Sequence, residues 1–224
     1  ICNKGKTLKN PFVRSPLFYM GDKYKLLPEI LPLFPKKINR FIEPFLGGGS
    51  VYLNVAASSY LLNDIDENII GLQKFLLDSS TEPEKFFKAI TKIVKKYGLS
   101  RSYIEDIVPA KLRQKYIKTY YAHFNKPGYL KLRNDFNKKT KIDFYELYIL
   151  LIYGFNRILR FNSEGKFNLP VGNVDFNNNT KNALNNFFEI TRNRNIDFHT
   201  EDFLAFLKKI KFRKDDFVYL DPPY

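Results

Sequence analysis

An apolar run that breaks on three glycines and resumes at a different period leaves this chain few folds to adopt. Arg40-Phe41-Ile42-Glu43-Pro44-Phe45 has the length of a buried strand, Gly47-Gly48-Gly49 interrupts it, and Val51 to Ala57 continues with helical spacing. The natural reading is strand, glycine turn, helix. A second unit follows at once. Tyr60-Leu61-Leu62-Asn63 reads as a strand ending at Asp64, and Ile69, Leu72, Phe75 and Leu76 recur at helical intervals. Two such units in series predict an α/β fold, a doubly wound parallel sheet with helices on its faces.

From about Ser79 to Arg194 the pattern changes to lysine-rich amphipathic helices without buried-strand runs, which predicts an inserted, mainly helical domain (79–194) between the first part of the sheet domain (1–78) and its return (195–224). Between Glu82 and Lys141 there are sixteen Lys or Arg against five Asp or Glu, so this stretch holds an outsized share of the positive charge. Tyr103, Tyr116, Tyr120, Tyr121 and Tyr129 are mixed into it. Such a mixture suits nucleic acid, although half or more of those rings are expected to serve ordinary helix packing. Ile158 to Phe161 and Lys166 to Leu169 flank Asn162-Ser163-Glu164-Gly165, a β-hairpin pattern in which glycine supplies the positive dihedral. The sheet resumes with Ile196 to His199, a helix through Leu204, Phe206, Leu207 and Ile210, and a last strand, Phe217-Val218-Tyr219-Leu220.

The formal net charge of +14 points to a polyanion, nucleic acid before an acidic membrane surface, with a lysine- and asparagine-rich coding bias as the bland alternative. No run of eighteen apolar residues occurs and the first residues lack the apolar stretch of a signal peptide, so the expectation is a cytoplasmic protein without membrane contact. The single cysteine, Cys2, fits a reducing compartment. His123 and His199 are too few ligands for a zinc site, and no metal is expected. The chain starts without Met and stops at Tyr224 straight after an apolar strand, as a processed or partial protein would, and a polypeptide ending there is expected to be weak or inactive alone.

In an open parallel sheet, ligands bind beyond the carboxyl ends of the strands, where four special segments of this sequence fall. The glycine triplet lets main chain approach a ligand closely; it lacks the third glycine of the dinucleotide fingerprint, and its plain reading is a turn. Asp64 follows Gly47 by seventeen residues, the offset at which an acid accepts hydrogen bonds from ribose hydroxyls, with helix capping as the alternative. Asp66, two residues later, is expected to face solvent or to cap the following helix. Asp202-Phe203 stands beyond the next strand, where a carboxylate can meet an adenine amino group while a ring covers its face. Asp221-Pro222-Pro223-Tyr224 is the most specific segment. Two prolines fix the backbone and leave carbonyls without local donors, and the aspartate adds a charged acceptor, an array suited to a planar amino group; the plain reading is a proline turn.

With those residues in hand, the sequence resembles the Dam-like class of DNA adenine methyltransferases from about Phe18 to Tyr224. Phe18-Tyr19-Met20-Gly21-Asp22-Lys23 looks like the family's amino-terminal cofactor motif, although the family usually has tryptophan at the place of Tyr19 and glycine at that of Asp22. Glu43 to Ser50 matches its glycine motif, Asn63 to Asp66 its ribose motif, Asp202-Phe203 its adenine-contacting pair, and Asp221 to Tyr224 its catalytic tetrapeptide. The resemblance implies S-adenosylmethionine as cofactor, seated by Tyr19, Lys23, Phe45, Gly47, Gly49, Asp64, Asp202, Phe203 and Asp221. It implies Asp221, Pro222 and Tyr224 as the catalytic group acting on an adenine amino nitrogen extruded from duplex DNA. Arg160-Phe161-Asn162 with Gly165, Phe167-Asn168, Pro170 and Gly172 resembles the hairpin with which relatives enter DNA, so Arg157, Arg160, Asn162 and Asn168 are the expected DNA contacts. A short site such as GATC, a partner endonuclease acting on the same site and a monomer or weak dimer complete the expectation. Methylation of a cytosine or RNA amine, and a non-catalytic basic nucleic-acid-binding module, are the other readings the residues leave open.

Overall fold

The computed structural model describes residues 11–222. A short helix α1 (Leu27–Ile30), flanked by single 3-10 turns, leads into strand β1 (Ile38–Glu43). After it come α2 (Ser50–Leu53), β2 (Ala57–Asn63) and α3 (Glu67–Ser79). Five helices follow: α4 (Pro83–Lys96), α5 (Ala110–Lys115), α6 (Tyr120–Phe136), α7 (Phe144–Tyr153) and α8 (Asn178–Thr191). The chain closes with β3 (Ile196–His199), α9 (Phe203–Lys209) and β4 (Asp216–Val218). The four strands form one sheet in the order β3-β2-β1-β4, every pair parallel.

That order brings together all the strand ends singled out above. β1 stops at Glu43 because Pro44 has no N–H for the ladder. α2 is shorter than its apolar spacing suggests, four residues instead of seven. Asn54 ends it, donating from Nδ2 to the Ser50 carbonyl at 2.8 Å and to the Val13 carbonyl at 2.8 Å while accepting from the Val13 N–H at 2.7 Å. These bonds also fix the segment that leads into Phe18 and Lys23. The ladder of β4 ends at Val218, two residues before the apolar run does, with one further bond from the Tyr219 N–H to the Ile42 carbonyl at 2.9 Å. Arg40 anchors that strand from β1, Nε to Asp216 Oδ1 at 2.9 Å and Nη2 to Oδ2 at 2.5 Å.

The helical stretch departs from the expectation in one element. α7 is not an amphipathic surface helix: Leu147 to Tyr153 are all fully buried. It is apolar all round and so can only be stable when enclosed, and it touches α3, α4 and α6. Its two deepest hydroxyls are satisfied, Tyr148 donating to the Pro16 carbonyl at 3.0 Å and Tyr153 to the Ser100 carbonyl at 2.5 Å. The expected hairpin exists as a tight antiparallel excursion whose pairing is confined to single bridges, Phe161 with Phe167 and Gly154 with Val171. Gly165 takes φ +70° and its N–H closes the turn onto the Asn162 carbonyl at 2.9 Å. No helix among the described residues is long and apolar enough to cross a membrane.

Candidate active site

The glycine turn is fastened by its neighbours rather than by its own residues. Gly47 (φ +48°) and Gly49 (φ +75°) occupy left-handed conformations, and Gly49 opens α2. The Gly47 N–H donates to Asp64 Oδ2 at 2.7 Å, so the acid at the end of β2 ties down the loop after β1. Gln73 on α3 donates to the Gly48 carbonyl at 3.2 Å and accepts from the Tyr52 hydroxyl at 3.3 Å. Asn63, fully buried, links the loops beyond three strands: its Nδ2 reaches the Pro44 and Glu201 carbonyls at 3.0 Å each, and its Oδ1 accepts from the Glu201 N–H at 3.0 Å. Asp66 caps α3 as expected, accepting from the Asn68 and Ile69 N–H groups.

The amino-terminal segment crosses this turn. A Cβ built on Gly48 would lie 3.0 Å from Tyr19 Cβ and 3.4 Å from Asp22 Cβ, so Tyr19 and Asp22 pack directly on the glycine main chain. Burial raises the pKa of Tyr19, and the charges of Asp66 and Asp64 push it the same way, which sets the three near one another. From four residues further on, Lys23 Nζ reaches Asp221 Oδ2 at 2.6 Å, joining this segment to the tip of β4. On the other side, the Phe45 and Phe203 rings lie 5.0 Å apart at 39°. Asp202 is exposed, and its Oδ1 caps α9, accepting from the Leu204 and Ala205 N–H groups at 2.9 and 3.2 Å.

Tyr19, Lys23, Gly47, Gly49, Asp64 and Asp221 thus gather around the glycine turn, and Phe45, which precedes it, pairs with Phe203. Pro222, next to Asp221, is exposed, and Tyr224, with Pro223, lies outside the described residues. The hairpin residues are engaged among themselves instead. Arg160 donates from Nε to Asn168 Oδ1 and from Nη2 to the Asn168 carbonyl, both at 2.8 Å. Asn162 Oδ1 accepts from the Glu164 and Lys166 N–H groups and so shapes the turn. Arg157 lies against Phe18 of the amino-terminal segment.

Three carboxylates, Asp22, Asp64 and Asp221, and the buried carboxyl of Glu43 surround the glycine turn, with Lys23 as the cation bound to one of them. In a chain of net charge +14 this local reversal of sign points to a ligand carrying positive charge. Asp22 Oδ2, buried there, has no hydrogen-bond partner, so an acceptor is left over where a donor is wanted. Sequence reasoning passed over Gln73 and Tyr52, and it placed Asn63 and Glu43 in motifs without a role of their own; the one available signal was polar residues inside otherwise apolar runs.

Glu43 is 3% exposed, and burial holds its carboxyl well above the usual carboxylate range, with the charges of Asp221 and Asp64 adding to the effect and the Tyr52 N–H offsetting part of it. The folded state then holds this proton more tightly than the unfolded chain, so Glu43 penalises folding as pH rises from its ordinary value of 4.5 towards the raised one. Urea melts between about pH 4.5 and pH 8 should show less of this loss in Glu43→Gln than in the wild type. Parallel profiles for the two proteins would mean that Glu43 is charged in the fold.

The model of the D12 class N6 adenine-specific DNA methyltransferase family matches residues 19–224. The modification methylase StsI of Streptococcus sanguinis is 32% identical over 99% of this chain and 32% of its own length. The type II methyltransferase M.FokI of Planomicrobium okeanokoites is 32% identical over 98% of this chain and 30% of its own length. The DNA adenine methylase of Haemophilus influenzae is 31% identical over 99% of this chain and 66% of its own length. The chain therefore spans about a third of the first two relatives. A match over this range takes in the Tyr19 segment, the glycine turn, Asp64 and the tip of β4, and the chain belongs to the D12 class of N6 adenine-specific DNA methyltransferases.

Proposed function

We propose that the chain transfers a methyl group from S-adenosylmethionine to the exocyclic amino group of adenine in a short duplex DNA site, GATC or a related sequence, in the cytoplasm and alongside an endonuclease cutting the same site. The observation that carries this reading is the Lys23–Asp221 pair, which sets a carboxylate at the end of β4 beside the acidic glycine cleft. S-adenosylmethionine supplies an electrophilic methyl on a positively charged sulfur, and the surplus of acceptors around Gly47 to Gly49 suits that charge. Asp64 keeps lone pairs for ribose hydroxyls beyond those it gives to Gly47 and Asp66. Phe45 and Phe203 offer ring surface for a base, with Tyr19 on the glycine side.

The adenine nitrogen is a poor nucleophile because its lone pair is delocalised into the ring. Lys23 occupies Asp221 Oδ2, which leaves Oδ1 to accept one amino hydrogen while the Pro222 carbonyl accepts the other. Gripping both hydrogens localises the lone pair and stabilises the positive charge that develops on nitrogen, and the Asp221 carboxylate is the nearby acceptor for the departing proton. The base must leave the duplex to arrive there, and the Tyr224 ring would offset part of the unstacking cost. We assign the helical segment 79–194 to target recognition, with Arg157, Arg160, Asn162 and Asn168 on its hairpin facing the duplex.

Incubation with S-adenosylmethionine bearing a labelled methyl and with duplex DNA, followed by nucleoside mass spectrometry, tests the reading. Label on the adenine amino group is the expected result. Label on cytosine contradicts it, as does the absence of transfer from the full-length protein when that protein binds the cofactor saturably.

A further inference from the structure

The amino-terminal segment and the start of the hairpin arm meet in a stack of cations and rings that methyl transfer does not use. The Arg157 guanidinium carbon lies 4.1 Å from the centre of the Phe18 ring, and that of Arg14 lies 4.7 Å from the same centre and 5.2 Å from the Tyr24 ring. Among the described residues neither guanidinium has an ion pair or a hydrogen bond. Apart from Arg213, the other described arginines are engaged: Arg40, Arg101 and Arg113 hold carboxylates, Arg160 holds Asn168, and Arg133, Arg192 and Arg194 donate to main-chain carbonyls. The groups acting electrostatically on Arg157 are Tyr148 and Arg14, with no carboxylate among them, and burial lowers its pKa.

The backbone is strained at the same place. Phe18 (φ 48°), Asn156 (φ 54°) and Arg157 (φ 51°) are the three non-glycine residues with left-handed conformations among the described residues, and all three belong to this contact or adjoin it. Such conformations persist where the surroundings over-determine them, and they gather at ligand-holding segments. A guanidinium lying on a ring keeps its planar edge of N–H donors free, a fork whose geometry matches two oxygens of a phosphate. Two unneutralised cations side by side repel each other, and a shared anion removes that cost.

We propose that Arg14 and Arg157, held on Phe18, form a clamp for one backbone phosphate of the DNA substrate. This rests on duplex DNA being the substrate, and it narrows the DNA contact expected of Arg157 to the backbone. Arg14 is exposed and Arg157 opens the arm leading to Arg160, so the clamp faces outwards beside the hairpin. Because Phe18 directly precedes Tyr19, which packs on Gly48, a phosphate caught here would register the duplex against the cofactor cleft.

Anisotropy titrations of the full chain with a duplex it methylates and with an unrelated duplex of equal length test the clamp. Arg14→Ala and Arg157→Ala should each weaken both duplexes by the same factor, about tenfold. The slope of log affinity against log salt should fall by about one, while calorimetry finds S-adenosylmethionine affinity unchanged. Arg157→Lys, which keeps the charge and loses the fork, should lie between wild type and Arg157→Ala and guards against a folding defect. Unchanged DNA affinity and salt slope in the alanine variants overturn the clamp, as does weakening confined to the methylated duplex, which would make these base readers. Loss of cofactor affinity instead would assign the pair to the cofactor's carboxylate. A wild-type chain that binds no DNA at all removes the methyltransferase reading, and the clamp with it.

Discussion

Asp221→Ala should lower the rate of methyl transfer by on the order of a thousandfold while leaving most DNA binding in place. The size follows from what the carboxylate does at the tip of β4. In the proposed array it is the charged acceptor and would act only as positive charge develops on the amine nitrogen, so its removal should raise the barrier without weakening the DNA contacts proposed for the hairpin and the basic helices. Lys23 sharpens the expectation. Its ammonium reaches Asp221 Oδ2 at 2.6 Å, and without the carboxylate it would face the amine as an uncompensated cation, opposing the charge that transfer creates. Asp221→Asn keeps a neutral acceptor oxygen and should fall between the alanine variant and the wild type. Single-turnover kinetics with saturating DNA and cofactor separate the step from binding; turnover near the wild-type rate in the alanine variant removes Asp221 from the chemistry.

The residues legible in the sequence were those whose role depends on their position at a strand end. The offset of Asp64 from Gly47 placed both at neighbouring strand ends because a βαβ unit returns the chain to the adjacent strand; the bond between them at 2.7 Å, which the spacing did not announce, follows from that topology. Asp66 was readable as a cap because capping is local. Asn63 and Gln73 were not readable, because their partners stand far off in the chain, Glu201 for the first and Gly48 for the second. A buried amide inside an apolar run has no periodicity of its own. The same limit hid α7: its apolar residues lack a polar face, and only enclosure by α3, α4 and α6 distinguishes a central helix from a strand-like run. At the hairpin the turn chemistry was local and legible, yet its arms form single bridges because main-chain groups that would extend a ladder are engaged elsewhere. The Asn137 amide, on the turn after α6, takes both the Phe167 N–H and the Phe167 carbonyl.

Alanine at the two outer glycines of the triplet should produce opposite defects. At Gly49 a Cβ would come within 2.5 Å of Tyr52 Cε1 and 2.8 Å of Gln73 Nε2. Tyr52 is fully buried and bonded to Gln73, which in turn holds the turn's carbonyls, so neither neighbour can yield without breaking the brace. Adding about 1–2 kcal/mol for a side chain in the left-handed region to about 1–3 kcal/mol for overpacking, Gly49→Ala should lose about 3 kcal/mol of stability. At Gly47 the φ of +48° carries the same backbone strain, but nothing lies within 4 Å of the added carbon. That carbon would stand in the open space of the cleft, where the main chain is expected to meet the cofactor. Gly47→Ala should therefore lose about 1 kcal/mol of stability and at least tenfold in S-adenosylmethionine affinity, since a methyl group in a close main-chain contact excludes the ligand. Urea denaturation and calorimetric titration on both variants read the two effects separately. Equal stability losses would mean that the Tyr52–Gln73 brace is looser than its distances imply. Wild-type cofactor affinity in Gly47→Ala would place the ligand away from the glycine turn, and the acidic cleft would then need another occupant.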